Sequence, residues 1–439
     1  MKLSDTAVVQ SIRAGLKRSP LGVALSNPRV RSGLAWNLTA AMAGRLAGLV
    51  TTIIVARVLG QAAFGEFSIV QSTILTFGVF AAFGAGLTAT KHIAESFRTD
   101  PVRSGRILAL ATLLAIAFGL VVTVVLWLAA PLIAARVLAS PQLTAALRIA
   151  SLGLVASALA GAQSGALAGF EDFRELSRLN VWAGLSGVVA VTVGVVSSGL
   201  GGALWGYNVA AAASCVLGFI ALNAAARRRG VIADYRSCLS EWPVLWRFSL
   251  PTMLSNILVT PASWACNAML VNQPNGFSEM AVYNVASQWR SLLIFLPIIV
   301  AQVFLPIMSS QASSTGSQST RSQFLRVNVL VALPFLIGLV VLSPVILAAY
   351  GPGFRSHWPV FVVVQLATFA QIVQAPLVTS WAAEGRMWTN VFANAFWGAF
   401  LVLLSWVWIG RGALGLGLAL LASFLIYFVV IWAVERGRP

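Results

Sequence analysis

Two arginines stand inside apolar stretches of this chain. Arg45 lies within TAAMAGRLAGLVTTIIVARVLG (39–60), and Arg290 ends EMAVYNVASQWR (279–290). Burying a guanidinium at mid-membrane costs at least ~2.5–3.5 kcal/mol on insertion scales, so such a group faces a wet cavity or finds a partner. No carboxylate is placed to neutralise either one. Glu66 is the only acid well inside an apolar stretch, and it lies near the end of that stretch. Cations without matching anions make a cavity suited to an anion, and arginine suits phosphate because its N–H groups bind two oxygens at once.

Other polar residues share helical faces with these cations. Asn37, Arg45 and Thr52 fall close to one stripe. Gln71 follows on the next apolar stretch. Asn256, Thr260, Ser263 and Asn267 run at i, i+4, i+7 and i+11, and Tyr283, Ser287 and Arg290 at i, i+4 and i+7. Gln365, Gln371 and Gln374 belong to a later stretch. Helix periodicity puts each set on one side of its helix. The competing reading is that such groups join helices to one another, worth roughly 0.6–2 kcal/mol each. It is the better reading for a lone Ser or Thr. The arginines and the larger amides are the candidates for a substrate cavity. The three cysteines, Cys215, Cys238 and Cys266, have no metal-ligand or redox spacing, and His92 and His357 stand far apart. No metal or cofactor is expected.

The elements that must carry these groups are membrane helices. Of the 439 residues 59% are hydrophobic and 9% charged, against about a quarter charged in soluble domains. The chain is therefore an all-α polytopic membrane protein. A net charge of +17 could suggest nucleic acid, but the cations are spread through short loops between apolar segments, where Lys and Arg mark the cytoplasmic side. At about 20 residues per span, twelve spans fit: 34–58, 62–90, 105–128, 143–168, 174–198, 202–225, 247–271, 277–305, 324–348, 357–382, 387–409 and 412–434. Pro131 and Pro141 make 105–168 the region most open to another division. With a cytoplasmic N-terminus, 22 Lys and Arg fall on the cytoplasmic side. Five (Arg57, Arg136, Arg148, Arg355 and Arg411) fall outside, and Arg45 and Arg290 lie within spans. Both termini are then expected in the cytoplasm. At 1.5 Å per residue both buried arginines lie roughly 18–20 Å in, near mid-depth. The external loops are too short for the catalytic groups of enzymes that work outside the membrane.

The chain also repeats itself. LGQAAFGEFSIVQS (59–72) resembles NGFSEMAVYNVASQ (275–288), with Gly60 opposite Gly276 and Phe67 opposite Tyr283. Gly169 and Gly385 each end an apolar helix before a polar patch, and GGAL (201–204) corresponds to RGAL (411–414). This order implies two six-helix bundles, at 34–226 and 246–439. A basic segment at 1–33 precedes them and a basic cytoplasmic linker at 227–245 joins them. An even number of spans per half relates the bundles by an axis along the membrane normal, leaving a V-shaped central cleft suited to alternating access. The segment 1–33 has no cleavable signal pattern. Val8, Ile12 and Leu16 share a helical face, so it reads either as a short surface helix or as a partly ordered tail.

ARVLGQAAFGEFSIVQS (56–72), with its R-x-L-G-x-x-x-F-G step from Arg57 to Gly65, and FGAGLTATKHIAE (83–95) resemble the polysaccharide-transporter branch of the multidrug/oligosaccharidyl-lipid/polysaccharide (MOP) exporter superfamily. Within it the likeness is to O-antigen flippases of the Wzx type. AQVFLPIMSS (301–310), YGPGF (350–354) and EGRMWTNVFAN (384–394) resemble further pieces of that family, so the likeness covers nearly the whole chain. It implies an inner-membrane flippase whose substrate is an oligosaccharide linked to polyprenyl diphosphate. The sugar head would be turned from the cytoplasmic to the periplasmic face. Membrane lipids and other polysaccharide-assembly proteins are its implied partners. The related lipid II flippases carry cavity arginines, one of them in the first helix, which Arg45 matches. Their helix-eight cation sits slightly earlier than Arg290, near Gln288.

Two other readings stand beside this one. A drug or metabolite exporter of the same superfamily would need buried carboxylates that the chain lacks. A membrane-embedded lipid-sugar transferase would need paired acids. Glu171, Asp172 and Glu175 cluster, but Arg174 and Arg178 interleave with them, as in a solvated loop. A major-facilitator carrier is opposed by the missing Gly-x-x-x-Asp-Arg signature in KHIAESFRTDPVRSGR (91–106).

Overall fold

The computed structural model describes residues 28–244, 249, 259–310, 317–384 and 386–436. Thirteen α-helices follow one another, with no strand among the described residues: α1 Pro28–Ala82, α2 Ala85–Ser96, α3 Pro101–Leu132, α4 Leu143–Ser151, α5 Gly153–Gly169, α6 Phe173–Arg228, α7 Thr260–Val271, α8 Gly276–Leu293, α9 Phe295–Ser310, α10 Ser317–Tyr350, α11 Trp358–Ala383, α12 Met387–Trp408 and α13 Gly412–Arg436. Among the described residues eight stretches are long and apolar enough to cross a membrane.

Some stretches are too long to be single spans. α6 has 56 residues, about 84 Å if straight, against a hydrocarbon core of about 30 Å. It reverses at Ser198 (φ −145°, ψ 23°) and Gly199 (φ 59°, ψ −135°). A left-handed φ of this kind costs glycine nothing. Past the turn the two arms lie backbone against backbone. Gly194 faces Gly202 and Gly206 faces Ala190, with no room at Gly194, Gly202 or Gly206 for a Cβ. α1 turns the same way at Gly60 (φ 75°, ψ 173°), so Gly48 and Gln71, on opposite arms, line one cavity. α12 and α13 form a third hairpin through a 3-10 turn at Ile409–Arg411, and the rings of Trp397 and Phe424 stack across it at 5.2 Å.

Several expected spans meet breaks that periodicity did not reveal. The second apolar stretch stops at Ala82, turns through Phe83 (φ 43°) and Gly84 (φ 68°), and resumes as α2. There the Phe83 ring stacks on Phe118 at 3.9 Å. The eighth breaks between α8 and α9 at Ile294. The region around Pro131 holds one long helix that ends in a π-turn, Ile133–Val137. The first helix starts at Pro28, earlier than the expected 34. Residues 1–27 and most of the expected seventh span before Val259 lie outside the described residues.

The helix ends fall into two sets. At the end that carries residue 28 and residue 436, ion pairs tie each half. Arg228 and Arg229 reach Asp172 at 3.1 and 3.2 Å. In the other half Glu435 accepts from Trp381 Nε1 at 2.7 Å and Arg321 at 3.0 Å, with Arg386 at 3.5 Å. The segment after α6 is folded down rather than slack: Asp234 N–H donates to Gly105 O at 3.3 Å, Arg103 and Arg106 pair with Glu241, and Cys238 is buried. Asp234 is held below the usual carboxylate range, chiefly by the backbone N–H of Ser237. At the opposite end the two halves are fastened together. Arg57 Nε donates to Ala349 O at 2.6 Å, Gln61 to Ser278 O at 3.3 Å and Asn272 to Val137 O at 2.8 Å. Gly65 packs directly on the Phe277 backbone, and the Phe64 and Phe354 rings meet edge to face at 6.3 Å.

Candidate functional site

Each half encloses a cavity. That of the N-terminal half is about 420 Å³ and is walled by Gly44, Gly48, Thr51 and Thr52 on the first arm of α1 and by Phe67 and Gln71 on the second. Small residues of α6 (Ala183, Gly184, Gly187) complete the wall, with Tyr207 opposite and Gln288 reaching in from the other half. Gln71 and Tyr207 stand near each other in this wall. No described residue of this wall carries a charge. The cavity exists because glycine and alanine at successive turns leave space that larger side chains would fill.

The cavity of the C-terminal half is about 450 Å³ and has a cation in its wall. Arg290 donates to Gln371 Oε1 at 2.7 Å, and its guanidinium lies 5.6 Å from the centre of the Phe424 ring. Gln374 donates to Phe424 O at 2.6 Å, and Asn394, Trp397 and Tyr427 complete the polar and aromatic lining. No carboxylate is present among the described residues of this wall, and among them the hydrogen-bond partner of Arg290 is a neutral amide. A guanidinium so held keeps its full charge for a ligand. It lies on α8, where Tyr283, Ser287 and Arg290 follow one another at i, i+4 and i+7, but neither Tyr283 nor Ser287 is among the described residues of the two cavity walls.

Arg45 lines neither of these two cavities. It lies at the seam of the halves, its guanidinium 3.9 Å over the ring of Phe295, the first residue of α9. Gly44 beside it belongs to the N-terminal wall. Both arginines thus lie near the α8–α9 break, Arg290 one turn before it on α8 and Arg45 against Phe295 just after it.

The remaining candidates divide. Gln71 lines the N-terminal cavity, and Ser263, Gln371 and Gln374 the C-terminal one. Thr260 begins α7 beside Val259, a wall residue, and is half-buried. Asn267 does what the competing reading expects: its Nδ2 donates to Ser72 Oγ at 2.9 Å across the seam, beside Trp264 Nε1 to Thr73 Oγ1 at 3.0 Å. Gln365 likewise joins helices, donating to Ala286 O at 2.9 Å. Asn37 lies on α1 with its side chain outside the described residues, as is Asn256 altogether. The acids Glu171, Asp172 and Glu175 are engaged by Arg98, Arg228, Arg229 and Arg178, which leaves no free catalytic pair there. Among the described residues no group of three metal-ligating side chains forms.

Sequence reasoning missed Tyr207, Asn394, Trp397, Phe424 and Tyr427. Asn394 and Trp397 share a face at i, i+3, but the chain has 15 Trp and 24 Phe. An aromatic residue in an apolar helix carries no mark of whether it faces lipid or a cavity.

Comparison with known proteins fits this architecture. The family described as "Polysaccharide biosynthesis protein" matches residues 30–312. The EPS I polysaccharide export inner membrane protein EpsE of Ralstonia nicotianae is 27% identical over 401 residues, covering 88% of this chain and 89% of that protein. Among solved structures, the lipid II flippase MurJ in an inward closed conformation superposes with a TM-score of 0.71 at 15% identity, over 91% of this chain and 87% of that one. An inward-facing multidrug resistance MATE family transporter of the MOP superfamily gives 0.69 at 14% identity, over 90% and 96%. A MOP superfamily transporter from Pyrococcus furiosus, described as having a binding pocket of reverse polarity, gives 0.67 at 13% identity, over 93% and 94%. The fold is therefore that of these transporters, and the chain, with its long apolar helices, belongs to the family described as polysaccharide biosynthesis protein.

Proposed function

We propose that this transporter is a flippase for glycan repeat units carried on polyprenyl diphosphate, moving them from the cytoplasmic to the periplasmic face for surface polysaccharide assembly. The observation that carries this reading is Arg290, a cation in a cavity wall with no acid among its described residues, hydrogen-bonded to the neutral Gln371. A diphosphate supplies the missing charge, and Arg45 at the seam lies where an anion would pass between the halves. A buried cation without a counter-charge is costly in a membrane, so an anionic substrate accounts for its presence. The relatives agree in direction: EpsE is a polysaccharide export protein and MurJ flips lipid II.

The architecture in this reading is twelve spans in two six-helix bundles, 34–226 and 246–439, with both termini cytoplasmic. The hairpins at Gly60, Ser198–Gly199 and Ile409–Arg411 support it by dividing three of the eight apolar stretches in two, and α7 supplies part of one more span. Fastening at the Arg57–Ala349 end corresponds to a transporter shut on its periplasmic side. Alternating access then requires the contacts of Arg57, Gln61 and Gly65 to part. Other polysaccharide-assembly membrane proteins would receive the flipped glycan.

The test is export of surface glycan by cells carrying Arg45→Ala or Arg290→Ala, with membrane levels of the protein measured in parallel. Loss of glycan at normal protein levels is expected, and normal glycan in both variants overturns the site assignment. A drug exporter is the second reading, and the absence of carboxylates from both cavity walls opposes it. Drug resistance lost together with the transporter would favour it.

A further inference from the structure

The segment that follows α6 carries apolar side chains where a solvated loop would carry polar ones. Ile232 is 83% exposed, Leu239 67%, Tyr235 53% and Trp242 50%. They recur every three to four residues, while Val231, Cys238 and Val244 among them are buried. One side of the segment is therefore held by the protein and the other is open. The backbone leaves α6 through Gly230 (φ 67°) and lays Ile232 O against Gly105, which has no room for a Cβ. Gly105 lies in the second turn of α3, whose 32 residues span about 48 Å against a hydrocarbon core of about 30 Å. The excess puts this turn, and the segment lying on it, at the depth of the lipid headgroups. Apolar and aromatic side chains that face outward at that depth enter the interface rather than water.

The charges around this open side are unevenly answered. Asp234 accepts from the backbone N–H groups of Arg236 and Ser237 at 3.0 and 3.2 Å, and Glu241 meets Arg103 and Arg106. Arg228 and Arg229 meet Asp172. Arg227, in the last turn of α6, and Arg236, next to Tyr235, are exposed and form no ion pair among the described residues. A zwitterionic bilayer would take up the apolar groups and leave these two cations unanswered. An acidic one answers both.

We propose that residues 227–242 form a docking surface for acidic phospholipids. Ile232, Tyr235, Leu239 and Trp242 enter the interface, and Arg227 and Arg236 meet headgroup phosphates. The surface belongs to the N-terminal half, because its backbone contact and its ion pairs are with α3. The chain beyond it leads into the other half, so acidic lipid holds the connection between the halves against the bilayer. This goes beyond the flippase reading and takes from it only that this end faces the cytoplasm.

The experiment is hydrogen exchange read by mass spectrometry on the full-length protein in nanodiscs. One set is made of phosphatidylcholine alone and the other of an equal mixture of phosphatidylcholine and phosphatidylglycerol. Both faces of a nanodisc carry the same lipids, so the result does not depend on which end faces the cytoplasm. The backbone amides of 231–242 are expected to exchange about tenfold or more slowly with phosphatidylglycerol, since each arginine near an acidic surface contributes about fivefold. Those of the turn at Pro352–His357 should not change. Arg227→Gln combined with Arg236→Gln should remove the difference between the lipids. Arg136→Gln, an exposed arginine just beyond the far end of α3, should keep it. Leu239→Ser should speed exchange about threefold in both lipids alike, because it removes apolar contact and no charge. Equal exchange in the two lipids, an undiminished difference in the double arginine variant, or no effect of Leu239→Ser overturns the proposal. If the double variant does not reconstitute as a folded species, Arg236→Gln alone decides, with a fall of about fivefold in the difference expected. Lost export in Arg290→Ala with equal exchange in the two lipids overturns this surface and leaves the flippase reading. A lipid-dependent difference as expected, with normal export in both Arg45→Ala and Arg290→Ala, does the reverse.

Discussion

The two halves of this transporter enclose cavities of nearly equal volume, about 420 and 450 Å³, and of unlike chemistry. In the N-terminal half glycines and alanines leave the space, and its polar groups, Gln71 and Tyr207 among them, are neutral. In the C-terminal half aromatic rings form the wall, a guanidinium enters it, and Gln374 and Trp397 are left with polar atoms unpaired. A few side chains thus give two cavities of similar size different chemistry, and in the proposed function the C-terminal one meets the anion. The knots that tie each half at the residue-28 end differ in a parallel way. In the N-terminal half the anion Asp172 lies before α6 and the cations Arg228 and Arg229 at its end. In the C-terminal half the cation Arg386 lies before α12 and the anion Glu435 at the end of α13. The positions correspond and the signs are exchanged.

The harshest way to break the comparison is to remove the frame that both halves share. Gly202→Leu and Gly415→Leu each push a side chain into a backbone carbonyl, of Gly194 and Trp408 respectively. Neither variant should accumulate in the membrane, as judged by immunoblot of membrane fractions. Survival of one would show that the two hairpins are not equivalent supports. Next is the charge. Arg290→Gln makes the C-terminal cavity as neutral as the other and should lower glycan export about tenfold or more, with Arg290→Lys intermediate because it loses the paired N–H geometry. Smaller again are the knots. Glu435→Gln strips charge from a carboxylate that is 11% exposed and meets Trp381, Arg321 and Arg386, and should cost about 2 kcal/mol in thermal unfolding. Asp172→Asn faces the half-exposed Arg228 and should cost about 1 kcal/mol or less. The smallest effect is expected from Gln71→Leu, which removes a polar group from a cavity that places no charge on the substrate. A threefold fall in export or less is expected on the scale of one neutral hydrogen bond. A fall as large as that of Arg290→Gln would mean that the N-terminal cavity also recognises substrate.

Much of this arrangement can be read from the chain, because the membrane restricts what a sequence can do. Within a bilayer only helices satisfy the backbone, so apolar stretches of sufficient length are helices. A cation among them stands out because it is expensive. Arg290, the face it shares with Tyr283 and Ser287, and the short turns at Gly60 and Gly412 were legible for those reasons. The turn at Gly84 and the break at Ile294 were not legible from periodicity, although Pro297, one turn after Ile294, removes a helical N–H and disfavours an unbroken helix there. Asn267 illustrates the same limit. Its spacing from Thr260 and Ser263 fitted a cavity stripe, but its amide meets Ser72 of the other half.

The sequence by itself determined an all-helical membrane transporter, its family, and the presence of two cations with no acid to answer them. Hydrophobicity and charge act locally and are written residue by residue. Only the tertiary structure decided that the cations do not share one wall, since Arg290 is enclosed within its own half and Arg45 lies on the seam. It also decided which of many aromatic side chains surround Arg290. Facing lipid and facing a cavity cost a tryptophan nearly the same, so only the packing of α8, α11, α12 and α13 against one another selects Trp397 and Phe424 for the wall.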